Sequence, residues 1–299
     1  MTDLKHLATE KPNRRSENLE KLPVKKLLQV INREDATVAR AVAKAIPQIE
    51  AVVKAVSKRL GRGGRLFYIG AGTSGRLGVT DASEMPPTYG VPHTLVQGII
   101  AGGFGALLKS KEGAEDDAKA GIADIKSRKI GKRDAVIGLS VSGRARYVRE
   151  ALAEARRRGA FTGCITCNRN SLLIACADVP IVAETGPEVV TGSTRMKAGT
   201  AQKMILNLIS TATMVRLGKV YENLMVDLKA SNIKLVDRSE RIIQMITGVD
   251  RPTAAKLLAD SGGHVKLAIV MQKLNVEADT ARKRLEVAGG SLRRAVEST

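Results

Sequence analysis

The chain has no tryptophan, three phenylalanines and four tyrosines, so aromatic residues make up 2% of its 299 positions. That scarcity argues against the stacking platforms that hold single-stranded nucleic acid. It has three cysteines, an odd number and too few for a disulfide framework. Cys164 and Cys167 form a CxxC inside FTGCITCN. Zinc would need a second pair, or histidines at ligand spacing. Cys176 is the remaining thiol, and His6, His93 and His264 are scattered. No metal site is expected, and the two thiols read as structural groups in a buried strand. No apolar run reaches the roughly 18 residues that span a bilayer. The polar opening MTDLKHLATEKPNRRSENLEKL lacks the apolar core of a secretory signal. A cytoplasmic protein with no membrane partner is expected.

What is present is ordinary for a globular chain: 43% hydrophobic and 26% charged residues. That is enough apolar material for a core, and the length suggests about two domains. The charge is unusual, with 49 Lys and Arg against 30 Asp and Glu for a formal net charge of +19. The excess is spread along the chain with a modest N-terminal bias and is densest from Arg144 to Arg158. A solvated basic surface is favoured over a nucleic-acid groove, and its field would help capture a phosphorylated substrate. The reason for the basicity is not legible in the sequence.

Residues 1–23 read as an arm ending near Pro23. Residues 35–60 carry apolar positions at helical spacing, interrupted by Pro47. Five short apolar segments then read as buried strands: Arg65 to Ile69, Thr94 to Ile100, Asp134 to Leu139, Phe161 to Thr166 and Val179 to Ala183. Helical stretches such as Tyr147 to Arg157 separate several of them, and Arg195 to Leu217 reads as one long helix. The expected fold is therefore α/β, a parallel sheet flanked by helices. Residues 224–248 read as helix, and 252–299 as three short helical patterns split at Ser261-Gly262-Gly263 and at Gly289-Gly290. The expected division is an N-terminal arm and helix (1–60), a sheet domain (61–223) and a helical C-terminal region (224–299), with a small all-helical module from about residue 240.

Three loops fall at the carboxyl ends of expected elements, where open α/β sheets bind ligands. The first contains Gly72, Thr73, Ser74 and Gly75, directly after RLFYI. Glycine lets the backbone approach an anion, and Ser74 is placed to cap a helix whose free N–H groups favour phosphate. It matches neither a Walker A loop nor GxGxxG, and by itself a tight turn explains it equally well. The second contains Ser140, Ser142 and Gly143, and the third Ser193, Thr194 and Lys197. Three such loops on one sheet point to a phosphorylated small molecule, and a sugar phosphate fits.

Two groups of carboxylates stand out. Asp81 and Glu84 lie on a helix read as stopping at Pro86-Pro87. A carboxylate in the last turn faces the negative end of the dipole, which raises its pKa and suits a general acid. An exposed surface glutamate is the plainer reading. Glu112, Glu115, Asp116 and Asp117 form an acidic cluster in which helical spacing puts Glu112 and Glu115 on one face. Dipole complementation explains such a cluster too, and spacing does not choose among the four.

GAGTSGRLGVTDASEMPPTYG, EGAEDD and EVVTGSTRMKAGTAQK together closely resemble N-acetylmuramic acid 6-phosphate etherases, which are sugar isomerase (SIS) domain enzymes. The resemblance runs from TEKPNRRSENLEKL to KRLEVAGGSLRRAV, essentially the whole chain. It implies a cofactor-free lyase, a cytoplasmic homodimer, that cleaves the D-lactyl ether with water to give N-acetylglucosamine 6-phosphate and D-lactate in cell-wall amino-sugar recycling. It implies that Glu84 protonates departing lactate and then activates water, that Glu115 is the base at C2, and that Thr73, Ser74, Ser142, Ser193 and Thr194 hold the phosphate. Glu112 is the natural control. The sequence departs from the family's S-G-R-T-P-Y, reading Ser142-Gly143-Arg144-Ala145-Arg146-Tyr147. Ala145 removes a hydroxyl, for which Ser140 and Arg146 lie close enough in sequence to compensate. The C-terminal module resembles ubiquitin-associated domains, with packing within a dimer favoured as its role. The competing readings are a non-catalytic SIS sugar-phosphate sensor, which has no need of both glutamates, an aldose–ketose isomerase, and a nucleic-acid binder resting on charge alone.

Overall fold

The computed structural model describes residues 7–228 and 233–297. Three single 3-10 turns, Ala8–Glu10, Arg14–Ser16 and Leu19–Lys21, come first. Then follow α1 (Val24–Asp35), α2 (Val38–Ala43), α3 (Ile46–Leu60), β1 (Leu66–Gly70), α4 (Gly72–Ser83) and α5 (Met85–Tyr89). The middle of the chain forms β2 (Val96–Ile100), α6 (Gly105–Leu108), α7 (Ala118–Ser127), β3 (Ala135–Leu139), α8 (Arg146–Arg157), β4 (Phe161–Thr166), β5 (Val179–Val182) and α9 (Lys197–Arg216). The remainder forms β6 (Val220–Tyr221), β7 (Leu224–Met225), α10 (Ile233–Thr247), α11 (Arg251–Asp260), α12 (Val265–Leu274), α13 (Ala278–Val287) and α14 (Leu292–Glu297).

Strands β1 to β5 make one sheet in the order β2-β1-β3-β4-β5, and every pairing is parallel. The α/β parallel architecture expected from the alternating apolar segments is the one found. Every position of β1, β3 and β4 is buried, as strands covered on both faces require. Successive side chains alternate faces. Phe67 and Ile69 of β1 join Ile125 of α7 and Tyr147, Val148 and Leu152 of α8 in one core cluster. Tyr68 points the other way, to Asp81 of α4. Helix α3 packs on β3, β4 and β5 through a face that includes the buried Val52, Val53 and Val56.

Contacts divide the chain into two units. The first takes in the described parts of Met1–Ser83 and Thr94–Ser210, and the second those of Glu84–His93 and Thr211–Thr299. The second unit has its own apolar cluster, including Ile242, Ile243, Leu258, Val265 and Ile269. Inside it Lys266 is buried, and its Nζ donates to Gly218 O at 2.7 Å, Asp227 Oδ2 at 2.7 Å and Gly290 O at 2.6 Å. Burial holds its pKa below the usual lysine value, against the opposing pull of Asp227.

Four expectations need correction. No helix starts at 224, because Tyr221 pairs with Leu224 across a two-residue turn, Glu222-Asn223, and the helix is described over Ile233–Thr247. Glu222 there has φ +52°. The C-terminal stretch holds four helices rather than three, since Asn275 adopts φ +51° and ends α12. The helical stretch 35–60 is two helices, with Pro47 in the first turn of α3, where a missing N–H costs nothing. The arm is followed by helix α1, which the sequence reading did not include. The arm itself is docked on the first unit: Ser16 Oγ donates to Val189 O at 2.7 Å, and Asn168 Oδ1 accepts from Ala8 N at 2.9 Å.

Candidate active site

The sheet order places β2 on one side of β1, and β3, β4 and β5 on the other. The crevice outside the carboxyl ends of β1 and β3 is therefore the topological switch point, where ligands of open α/β sheets sit. The first and second loops leave those two strands.

After β1 the chain enters α4 at Gly72, so Thr73, Ser74 and Gly75 are first-turn residues of a helix. Gly72, Thr73 and Ser74 supply amides that a helix cannot satisfy internally. Ser74 is not the cap expected: it is the third helical residue, and its buried hydroxyl donates to Gln202 Oε1 at 2.8 Å. In the second loop the buried Ser140 Oγ accepts from Gly143 N at 3.1 Å, and Ser142 Oγ accepts from Arg144 N at 3.3 Å. Gly143 has φ +69°, and a Cβ there would stand 1.6 Å from Ser171 Oγ, so no other residue fits. Ala145 is the N-cap of α8, without a side-chain cap, and Arg146 is exposed.

The third loop changes one expectation. Lys197 does not face a ligand: it is fully buried, and its Nζ donates to Glu34 Oε2 at 2.7 Å. The amides of Lys197 and Ala198 donate to Glu188 Oε2 at 3.0 Å and Oε1 at 2.9 Å. The N-terminus of α9 thus already holds an anion, the chain's own carboxylate. Burial pushes the Glu188 carboxyl above its usual range, even against those amides and Lys197. For Glu34, burial pushes upward, but hydrogen bonds from Lys197 and Asn13 and the Lys197 and Arg15 charges outweigh it, leaving the carboxyl below its usual range. Glu34, Glu188 and Gln202 were missed from sequence. Their partners lie far away or follow no motif spacing; Glu188 and Gln202 both stood inside the motif EVVTGSTRMKAGTAQK, Glu34 in none. Ser193 and Thr194 are half-buried.

The three loops converge. Ser74 of the first reaches Gln202 of α9, and Val141 of the second packs with Cys167 and Ala198 in a small buried cluster. Beside them, a pocket of about 340 Å³ is lined by Gly72, Arg76, Lys111, Glu112 and Glu115, among others. Arg76 ties its wall to α6, with Nη2 donating to Ala106 O at 2.7 Å and Nε to Leu107 O at 3.0 Å. Of the four clustered acids, Asp117 caps α7 by accepting from Ala120 N at 2.9 Å, while Glu112 and Glu115 both face the pocket. They do so without the expected helix: Glu115 lies in the single 3-10 turn Ala114–Asp116.

Glu84 belongs to the second unit. Helix α4 ends at Ser83, and Glu84 is the N-cap of α5, whose first turn contains Pro86. The prolines begin a helix rather than stop one, because proline fits the first turn. The residue stands between a helix C-terminus and a helix N-terminus, ends of opposite dipole sign, so the one-dipole picture drawn from the sequence does not hold. The Glu84 side chain is exposed and caps nothing. Cys164 and Cys167 are buried, and among the described residues no group of three His, Cys, Asp or Glu could hold a metal.

A parallel sheet with hydroxyl-bearing loops gathered at its switch point is the frame of a ligand-binding α/β domain, and the family models place it in the SIS class. Residues 120–212 match the SIS domain model, and residues 44–156 match the glucokinase regulatory protein N-terminal SIS domain. The N-acetylmuramic acid 6-phosphate etherase of Geobacillus sp. (strain WCH70) is 50% identical over 294 residues, covering 98% of this chain and 100% of that one. Those of Aeromonas hydrophila (50%, covering 96% and 97%) and Mycolicibacterium smegmatis (51%, covering 98% and 99%) are equally similar. Among solved structures, a phosphoheptose isomerase from Francisella tularensis aligns at 15% identity and TM-score 0.48, over 63% of this chain and 97% of that one. The chain belongs to the N-acetylmuramic acid 6-phosphate etherase family.

Proposed function

We propose that the chain cleaves the D-lactyl ether of N-acetylmuramic acid 6-phosphate, giving N-acetylglucosamine 6-phosphate and D-lactate. The observation that carries this reading is about 50% identity to etherases over nearly the full length. The convergence of three small-residue loops at the switch point supports it.

Ring opening exposes an aldehyde at C1, which acidifies the C2 proton. Glu115 takes that proton, and the C3–O bond breaks. Lactate leaves with a proton from Glu84. The Glu84 carboxylate then deprotonates water, whose oxygen adds at C3, and C2 recovers its proton from Glu115. One acid and one base suffice. The amides of Gly72, Thr73 and Ser74 and the hydroxyls of Thr73, Ser142, Ser193 and Thr194 would hold the phosphate, so that binding remote from the reaction orients C2 and C3. Ser140 and Gly143 shape the second loop, Gly75 continues the first turn of α4, and Lys197 acts from behind as a strut. The chemistry asks for no metal or organic cofactor.

We place the enzyme in the cytoplasm, in cell-wall amino-sugar recycling, as a homodimer. Among the described residues no helix is long and apolar enough to cross a membrane. Phe104 and Leu108, 80% and 81% exposed beside the Glu115 pocket, suit a face covered by a second copy.

The direct test is release of D-lactate from N-acetylmuramic acid 6-phosphate. Lactate is expected from the wild type and from Glu112→Ala, but not from Glu84→Ala or Glu115→Ala. A folded wild type that binds the sugar phosphate and releases no lactate would overturn this reading in favour of a sensor.

A further inference from the structure

A second polar pocket lies at the opposite edge of the sheet, before the amino ends of β1 and β3. It has a volume of about 350 Å³ and is lined by Lys58, Arg59, Arg62, Lys132 and Arg133. All five are cationic, and none forms an ion pair among the described residues. We propose that this pocket binds a compact oligophosphate, at a place separate from the sugar-phosphate crevice.

The pocket is built, not merely a crowded surface. Lys58 and Arg59 end α3, Arg62 lies in the turn that follows, and Lys132 and Arg133 lie in the turn before β3. Gly64 presses the two turns together, since a Cβ there would stand 1.9 Å from Arg133 O. Arg59 is fixed with its guanidinium 5.1 Å from the Phe161 ring centroid, and its Nε is buried without a hydrogen-bond partner. The next acid in the chain, Asp134, is already committed. Its carboxylate accepts from Arg65 N, Nε and Nη2 at 3.0, 3.1 and 2.8 Å, and from Gly131 N at 3.1 Å.

The α3 dipole accounts for Lys58 and Arg59 at its C-terminus, but not for the three cations that face them from two turns. Like charges this close repel, and an anion with several charges relieves the repulsion at all five together. The volume is that of a small-molecule site. A duplex would be met by an extended basic stripe, and the Phe161 ring is buried under Arg59, leaving no face on which to stack a base. Recognition therefore falls on phosphate groups alone.

The test is calorimetric titration of the full chain with inorganic tripolyphosphate, with ATP in the absence of magnesium, and with a short DNA duplex, at about 0.15 M salt. Tripolyphosphate and ATP should bind with similar affinity, one per chain, undisplaced by N-acetylglucosamine 6-phosphate. Arg62→Ala/Lys132→Ala/Arg133→Ala, all exposed positions, should weaken both by at least about tenfold through lost charge-assisted bonds. Lys25→Ala/Lys26→Ala/Lys273→Ala removes the same charge elsewhere and should leave both unchanged. Equal weakening in the two variants would reduce the effect to diffuse charge and overturn the proposal. So would a wild type that binds neither phosphate, or one that binds only the duplex.

Discussion

Glu34 and Lys197 stand 163 positions apart in sequence, yet their charges meet at 2.7 Å, with 4% and 0% of their side chains exposed. Glu34→Gln would leave a buried ammonium without its counter-charge, at a cost of about 3–5 kcal/mol. A urea unfolding series at neutral pH measures it. Because the folded Glu34 carboxyl is held below its usual value, its contribution is complete above about pH 4.3 and fades as acid approaches the lower folded value. The wild type's advantage over Glu34→Gln should narrow on acidification. Asp81 has the opposite sign. Burial, only partly offset by hydrogen bonds from Asn207 and Ser210, keeps its carboxyl above the usual range. A raised carboxylate stabilises the fold below its unfolded value and loses that contribution as pH rises through the folded one. Asp81→Asn, which keeps the acceptor for Asn207 and Ser210, should therefore match or exceed the wild type at neutral pH. That margin should vanish near pH 4; a margin independent of pH would show that Asp81 titrates normally.

Helices and strands were legible where burial makes the pattern simple. Each of the five sheet strands was read from a short apolar run, most simply β1, β3 and β4, which are covered on both faces and have no polar alternation to confuse them. The β6–β7 hairpin was not legible, since two-residue strands carry no period. Nor was the split at Asn275, which rests on one left-handed residue. In the first unit, the loops and the Glu112–Asp117 acidic cluster were visible as motifs, but the work of Lys197 was not, because its partner arrives from another part of the chain. Strand β4 supports a direct check. Burial pushes the Cys164 and Cys167 thiols up to about 12, while Cys176 is half-buried. A thiol reagent should label Cys176 alone in the native protein, and all three after unfolding. At the start of α8, Ala145→Thr supplies a cap hydroxyl beside the second loop. It should add about 1 kcal/mol of stability. If the missing hydroxyl would otherwise bond the phosphate, it should also lower KM by roughly tenfold. An unchanged KM would make position 145 irrelevant to substrate.

For the whole chain, the net charge of +19 would acquire a partial account in the five cations of the second pocket, which form no ion pair among the described residues. Quaternary state is open to a single measurement: light scattering should give twice the 31.9 kDa chain mass, and a mass of one chain would remove the homodimer from the proposal. Lys266 joins three separate stretches of the second unit, so Lys266→Met should lower that unit's stability by about 1.5–3 kcal/mol for a lost charge-assisted bond. Hydrogen exchange should report the loss in α12 before it reaches the sheet.

The segment Glu84–His93 belongs with residues beyond Thr211, although the first unit resumes at Thr94. Its Gly90 packs so closely on Asp227 that a Cβ would lie 2.2 Å from the Asp227 carbonyl oxygen. On the ribosome, residue 90 emerges roughly 140 residues before 227, a wait of about seven to thirty seconds at ordinary elongation rates. During that interval Gly90 lacks the Asp227 backbone it packs against, in a stretch whose Met85, Tyr89 and Val91 are all buried in the folded chain. Nascent chains stalled in this window should recruit chaperones through that short stretch, which carries a catalytic candidate and is among the last parts of the protein to be completed.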